Sequence, residues 1–85
     1  MAPEELREVL RTQPFRPFRL VMTDGKEYDV RHPDLMMVGR RSAMVGLTGR
    51  PGRTFYERAV QVDLLHVIRV EPLEEKRSSY KKNGA

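Results

Sequence analysis

The arginines between Asp34 and Glu57 are the residues whose type and spacing point most directly to chemistry. That interval contains no acidic residue and four arginines, all in predicted loops: Arg40, Arg41, Arg50 and Arg53. A guanidinium group is planar and permanently charged, and its paired donors match phosphate and carboxylate groups. The pattern therefore predicts a surface that contacts an anion, with RNA or another polyanion as the candidate partner.

The two pairs of arginines form one surface only if the chain brings their loops together. The turn at 39–42 and the loop at 48–54 are predicted at opposite ends of a short strand, which spans about 17 Å. Curling of the sheet or stacking of subunits would join them, and two separate solvated loops are the alternative. Contacts to single-stranded RNA also favour exposed aromatic rings, for which Tyr56 and Tyr80 are the candidates.

Patterns for catalysis and metal binding are weak. His32 and His66 are the two histidines, and their spacing to Asp34 and Asp63 matches no metal-binding signature. Ser42 lies in a predicted turn without the glycines of a nucleophile elbow. We therefore predict a non-enzymatic protein with no metal and no cofactor. A cleft that joined His32, Asp34 and a second acid would argue for an enzyme instead.

Length and composition limit the protein to one small domain. A chain of 85 residues buries only about 60–65% of its unfolded surface, which leaves little stability to support strained active-site geometry. The absence of cysteine excludes disulfides and zinc–thiolate sites. The first ten residues lack the apolar run of a signal peptide, and no segment has the ~20 apolar residues that span a bilayer. We expect a cytoplasmic protein without a membrane partner.

Charge is distributed unevenly along the chain. The formal net charge is +4, and the segment 74–85 contributes four basic and two acidic residues to it. This composition is typical of a solvated terminus. The sequence therefore predicts a single domain over residues 1–73 and a polar, flexible tail over 74–85.

One helix is predicted at the N-terminus. Pro3 suits the first helical position, and Leu6, Val9 and Leu10 form one apolar stripe. Pro14 ends the helix, because the residue before a proline avoids helical geometry. A helix of about ten residues is marginal by itself, so it must dock on the strands that follow.

The first β-hairpin has a loop whose length can be decided from the sequence. A two-residue loop would place Leu20 opposite Asp29, whereas a three-residue loop at 23–25 places Leu20 opposite Tyr28. Because one face of the hairpin must be apolar, we predict the three-residue loop, with Gly25 at positive φ.

A second hairpin is predicted at 35–47, with its turn at 39–42. Both of its faces carry apolar residues, including Met36, Met37 and Met44. One face can pack on the core, and the other needs a cover such as the helix, a closed sheet or another subunit. The methionine cluster is therefore predicted either as core or as a pliable self-association face, since Met tolerates loose packing.

The last part of the domain allows two interpretations. Residues 55–62 read as a strand, followed by a short turn that Asp63 caps and a final strand from Val67. The alternative is a helix over 60–69, which the β-branched residues of that segment disfavour. The sum is mainly β with one N-terminal helix: a strongly bent antiparallel sheet of five to six strands, closing into a small barrel that hides its edges.

This order of elements resembles the Sm-like barrel over roughly residues 3–73. The glycine and asparagine of the Sm signature have no counterparts near 34–39, so no RNA-binding residues are assigned from that family. The segments QPFRPFRL, TDG, YDVRHPDL, VGRR and LLHVIRVEPL also resemble a group of short bacterial proteins of unknown function. That resemblance covers most of the chain and implies no activity.

Two hypotheses of function follow from these observations. The first is a nucleic-acid-binding module that uses the arginine loops. The second is a protein-interaction or homo-oligomeric module, in which the partner is another protein or a second copy of the chain.

Overall fold

A computed structural model of the protein describes residues 1–49 and 54–73. These described residues contain one helix, six strands and two 3₁₀ turns. The elements are α1 (Pro3–Arg11), β1 (Phe18–Met22), β2 (Glu27–Val30), β3 (Met36–Val38), β4 (Ser42–Leu47), β5 (Arg58–Asp63) and β6 (Val67–Pro72), with 3₁₀ turns at Pro33–Leu35 and Leu64–His66. The tail predicted at 74–85 lies outside the described residues.

The strands form two antiparallel sheets rather than one. The first sheet has the order β2-β1-β6, and the second sheet has the order β3-β4-β5. The prediction of a mainly β protein with one N-terminal helix is confirmed. Within the described residues the sheets do not join into a closed barrel, so the Sm-like barrel is not confirmed. The chain passes from one sheet to the other between β2 and β3 and again between β5 and β6, and each time it forms a 3₁₀ turn. In the first of these turns Pro33 has no N–H group, so it cannot continue a hydrogen-bond ladder from β2 into β3.

The β1–β2 hairpin has the predicted register. Phe18 lies opposite Val30 and Leu20 lies opposite Tyr28, so the apolar side chains share the inner face. The loop closes with a 2.9 Å hydrogen bond from the Met22 N–H to the Lys26 carbonyl. Gly25 has a φ of 89°, as the three-residue loop requires.

Residues 60–69 are a strand, a turn and a strand, so the helical alternative is wrong. The Leu65 N–H donates to Asp63 Oδ1 at 3.0 Å, which confirms Asp63 as the cap of the turn. β5 begins at Arg58 rather than at the predicted residue 55. Its ladder with β4 starts where Leu47 lies opposite Arg58, and the preceding segment crosses the sheet instead of extending it.

The core lies between the two sheets, and α1 covers one side of it. Leu6, Phe18, Leu20, Val30 and Val45 are the largest side chains that are fully buried. Val9 and Leu10 of the helix are partly buried against this core, as the apolar stripe predicts. The Ala2 N–H donates to Glu5 Oε1 at 3.1 Å and satisfies one donor at the start of the helix.

Candidate functional site

Arg40 and Arg41 lie together and exposed in the β3–β4 turn. The turn is closed by a 2.7 Å hydrogen bond from the Gly39 N–H to the Ser42 carbonyl. The Arg41 carbonyl accepts from the Leu64 N–H at 2.9 Å, which fixes the turn to the second 3₁₀ turn. The backbone under these two guanidinium groups is therefore held in place.

The other predicted arginines, Arg50 and Arg53, lie outside the described residues. Their loop leaves β4 after Leu47, whereas the Arg40–Arg41 turn enters β4 at Ser42. Five residue steps separate these ends, or about 17 Å along the strand. In one copy of the chain, the roots of the two arginine loops therefore lie at opposite ends of β4.

Two aromatic rings are exposed just after the second arginine loop. Phe55 is 57% exposed and Tyr56 is 61% exposed. Tyr56 was a candidate for stacking from the sequence, and Phe55 is an addition that only the structure provides. Tyr80, the other candidate, lies outside the described residues.

The described part of the chain is formally neutral. Of the 16 basic and 12 acidic residues, ten of each lie in the described residues. The excess of positive charge therefore belongs to residues 50–53 and 74–85.

The charged side chains on the outer face of the first sheet form ion pairs with one another. Arg19 Nε donates to Asp29 Oδ1 at 2.8 Å, and Glu27 lies 3.7 Å from the same guanidinium. The hydrogen bond and charge of Asp29 raise the pKa of Arg19 above its ordinary value. On β6, Arg69 pairs with Glu71 at 2.6 Å. Each charge of this face already has a partner of opposite sign.

The outer face of the second sheet is different, and we call it the uncharged face. Along each strand, the residues of this face alternate with residues whose side chains point into the core. Met37 of β3 lies opposite Met44 of β4. The exposed residues of the uncharged face are Met37, Met44, Tyr56, Ala59 and Gln61, and it also contains Leu35 and Gly46, which are buried. Every one of them is described, and none is an Asp, Glu, Lys, Arg or His residue. Asp63 is the next position along this face, where it caps the 3₁₀ turn.

The methionine cluster divides between the core and this face. Met36 is 5% exposed and belongs to the core, whereas Met37 is 69% exposed and Met44 is 38% exposed. The core alternative therefore applies to Met36, whereas Met37 and Met44 lie at the surface. Alternation along β3 separates Met36 from Met37, because successive side chains of a strand point to opposite faces.

Gly46 makes room for Tyr56 on the uncharged face. A Cβ atom added to Gly46 would lie 2.8 Å from Tyr56 Cβ and 3.3 Å from Leu35 Cδ2. Backbone bonds anchor the crossing segment, with the Glu57 N–H donating to the Leu47 carbonyl at 2.9 Å. Tyr56 thus packs against β4 at Gly46, a residue without a side chain.

The histidines occupy two separate local arrangements. His32 Nδ1 accepts from the Asp34 N–H at 3.1 Å and caps the first 3₁₀ turn. His66 Nδ1 lies 3.3 Å from Thr23 Oγ1, next to the β1–β2 loop. Among the described residues, no group of three or more His, Asp or Glu side chains is arranged to hold a metal ion.

A cleft lies between the β1–β2 hairpin, β5 and the second 3₁₀ turn. Its volume is about 360 Å³. The lining consists of Met22, Thr23, Asp24, Tyr28, Gln61, Val62, Asp63 and His66. The histidine in the lining is His66, and its acids are Asp24 and Asp63. His32 and Asp34, whose presence in a cleft would have argued for an enzyme, do not line it. The sequence indicated Asp24 and Asp63 as turn residues, and Asp63 also as a weak candidate metal ligand, but nothing local signals that the hairpin and β5 meet.

Comparison of the chain with protein-family models, with curated proteins and with solved structures returns no match. None of the helical segments in residues 1–49 and 54–73 has the length and apolar character that crossing a bilayer requires.

Proposed function

We propose that the protein is a non-enzymatic interaction module that associates with a second copy of itself through the uncharged face. The contrast between the two outer faces is the observation that carries this proposal. The first sheet presents paired charges and the exposed Ile68 to water, whereas the second sheet presents two exposed methionines and a tyrosine. Methionine and aromatic side chains are among the residue types that are enriched at protein contacts.

The chemistry of the face favours a second copy over a charged partner. Two uncharged faces can meet without removing any ionised group from water, which would be costly without a partner charge. Met37 and Met44 have flexible side chains that adapt to one another across a two-fold axis. Arg40 and Arg41 remain at the rim, where their charges stay hydrated.

The size of the face sets the expected affinity. Three strands at about 4.8 Å spacing and about 17 Å of strand length give roughly 240 Å² per copy. A standard stable interface buries about 800 Å² on each partner. The uncharged face supplies about a third of that area, so we expect a weak dimer with a Kd of about 100–1000 µM.

Sedimentation velocity between about 20 µM and 1 mM tests self-association, since this range brackets the expected Kd. Met37→Asp places a carboxylate on the face, opposite Met44, and should abolish the concentration dependence. Leu65→Asp is the matched control, because Leu65 is 82% exposed in the 3₁₀ turn and lies outside the face. A wild-type protein that remains a monomer at 1 mM, or a dimer that Met37→Asp leaves intact, would refute the proposal.

Nucleic-acid binding is the second candidate, and the exposed rings support it. Phe55 and Tyr56 follow the loop that contains Arg50 and Arg53, and Arg58 comes two residues later. Adjacent rings and guanidinium groups suit the bases and phosphates of a single strand.

Fluorescence anisotropy with a labelled single-stranded oligonucleotide tests this candidate. About four phosphate contacts predict a slope near −3 when log K is plotted against log salt concentration. Phe55→Ala should weaken binding at every salt concentration, whereas a double Arg40→Ala, Arg41→Ala variant should make the slope shallower. Affinity that is absent, or that neither variant changes, would remove the candidate.

The Sm-like barrel also remains a proposal. Its support is that the first and last strands pair, with Leu20 opposite Val70, and that a 3₁₀ turn precedes the last strand. An experimental structure with ladder bonds from the first sheet to the second would establish closure, and two open sheets would reject it.

A further inference from the structure

The cleft between the β1–β2 hairpin, β5 and the second 3₁₀ turn has a composition that selects for one kind of ligand. We propose that it binds a small organic cation, with an ammonium or guanidinium head group on a short aliphatic body. This inference does not require self-association, because the cleft lies at the free edge of β5 and shares only Gln61 with the uncharged face.

The charge of the lining determines the sign of the ligand. Asp24 and Asp63 are in the lining, and no lysine or arginine is. Asp24 Oδ1 accepts from the Lys26 N–H at 2.9 Å, and Asp63 Oδ1 accepts from the Leu65 N–H at 3.0 Å. No described residue donates a hydrogen bond to the second oxygen of either carboxylate. Each of these oxygens can accept a charge-assisted hydrogen bond from a cationic head group.

The apolar part of the lining indicates that the cation is organic. Met22 is 6% exposed and Val62 is 5% exposed, so the bottom of the cleft is apolar. Tyr28 is half-buried beside them and offers a ring face or edge to an aliphatic or cationic group. A bare metal ion would leave this apolar surface unused, whereas an aliphatic body covers it. The two halves of the lining thus match the two halves of an amphipathic cation.

The polar rim adds directional contacts. The Thr23 hydroxyl and His66 Nδ1 lie 3.3 Å apart, which holds the imidazole against the hairpin. Gln61 Nε2 donates to Ser42 Oγ at 3.0 Å, so its carbonyl oxygen remains able to accept from a ligand. The volume of about 360 Å³ is at the lower end of the range for small-molecule sites, about 300–1,000 Å³. The ligand is therefore a small molecule or one side chain of a peptide.

Amide NMR titrations of the whole chain at about 50 µM test the proposal, since that concentration is below the expected dimer Kd. Agmatine is the cationic probe, and 1,4-butanediol is its uncharged control. A short peptide that contains one arginine distinguishes a free ligand from the side chain of a protein partner. We expect agmatine or the peptide to shift the signals of Asp24, Gln61 and His66, and the diol to leave them unchanged.

Two isosteric variants test the carboxylates without removing their caps. Asp24→Asn and Asp63→Asn keep an oxygen that accepts the backbone N–H, so each turn is retained. Each should weaken agmatine binding at least fivefold, with an unchanged unfolding midpoint. Glu8→Gln, on the exposed side of α1, is the control for a general loss of negative charge and should bind normally. The proposal would be overturned if neither agmatine nor the arginine peptide saturated the wild type, or if the diol shifted the same signals equally. It would also be overturned if Glu8→Gln weakened agmatine binding as much as the two Asp→Asn variants do.

Discussion

Replacing Gly46 with alanine tests the packing of the uncharged face most directly. The added Cβ would lie 2.8 Å from Tyr56 Cβ, whereas carbon atoms in contact prefer about 3.5–4.0 Å. β4 cannot move away, since it is the central strand of its sheet, and Val45 beside Gly46 is fully buried. The crossing segment must therefore move by about 1 Å at Tyr56.

The expected cost is the difference between two effects. Overpacking of this kind destabilises by about 1–3 kcal/mol, and replacing a glycine inside a strand returns about 0.5–1 kcal/mol of backbone entropy. Gly46→Ala should therefore destabilise the fold by about 0.5–2 kcal/mol. For a domain of this size each kcal/mol lowers the unfolding midpoint by about 4–8 °C.

A double-mutant cycle identifies the contact responsible. Tyr56→Ala retains Cβ and should not relieve the clash, whereas Tyr56→Gly removes it. We expect Gly46→Ala to be destabilising in the wild-type and Tyr56→Ala backgrounds, and neutral or stabilising in the Tyr56→Gly background. Urea unfolding followed by circular dichroism measures each free energy. An effect of Gly46→Ala that is the same in all three backgrounds would refute the packing described for Tyr56.

Three further predictions concern local features of the fold, each measured by chemical unfolding. Gly25 has a φ of 89° and open space around it, so Gly25→Ala should cost about 1–2 kcal/mol from backbone strain alone, and Gly25→Asn should cost less; equal stability of the alanine variant would contradict the loop geometry. Asp63→Ala should cost about 1 kcal/mol by removing the cap of the 3₁₀ turn, while Asp63→Asn should stay near wild type; equal losses in both would argue against capping. Because Arg19 and Asp29 are each about one-third exposed, alanine cycles should give a coupling of about 0.5–1 kcal/mol that falls in 1 M salt; coupling insensitive to salt would exclude a screened surface pair.

The features that were predicted correctly are those that neighbouring residues decide. The three-residue loop of the first hairpin follows from face matching over a few residues, and Gly25 occupies the position that a positive φ requires. The cap at Asp63 acts on the N–H two residues later. Such features depend on local backbone geometry, which the same residues would favour in many folds.

The candidate site could be predicted only in part. The exposed turn at Arg40 and Arg41 was predicted, because a glycine and two arginines between apolar runs indicate a turn. The assignment of Met36 to the core and of Met37 to the surface needed the orientation of β3, since alternation alone separates two faces without saying which is buried. Phe55 was not proposed as an exposed ring, because the sequence does not show that the segment before Arg58 crosses the sheet instead of joining it.

By itself, the sequence determined the fold class, the hairpin register, the turns and the distribution of charge. Each of these depends on composition or on residues close together in the chain. The tertiary structure alone decided that β6 pairs with β1, that the sheet divides into two, and that Asp24 and Asp63 line one cleft. Such arrangements bring together residues about forty to fifty positions apart. They depend on how the whole apolar core is closed, and no local preference encodes that choice.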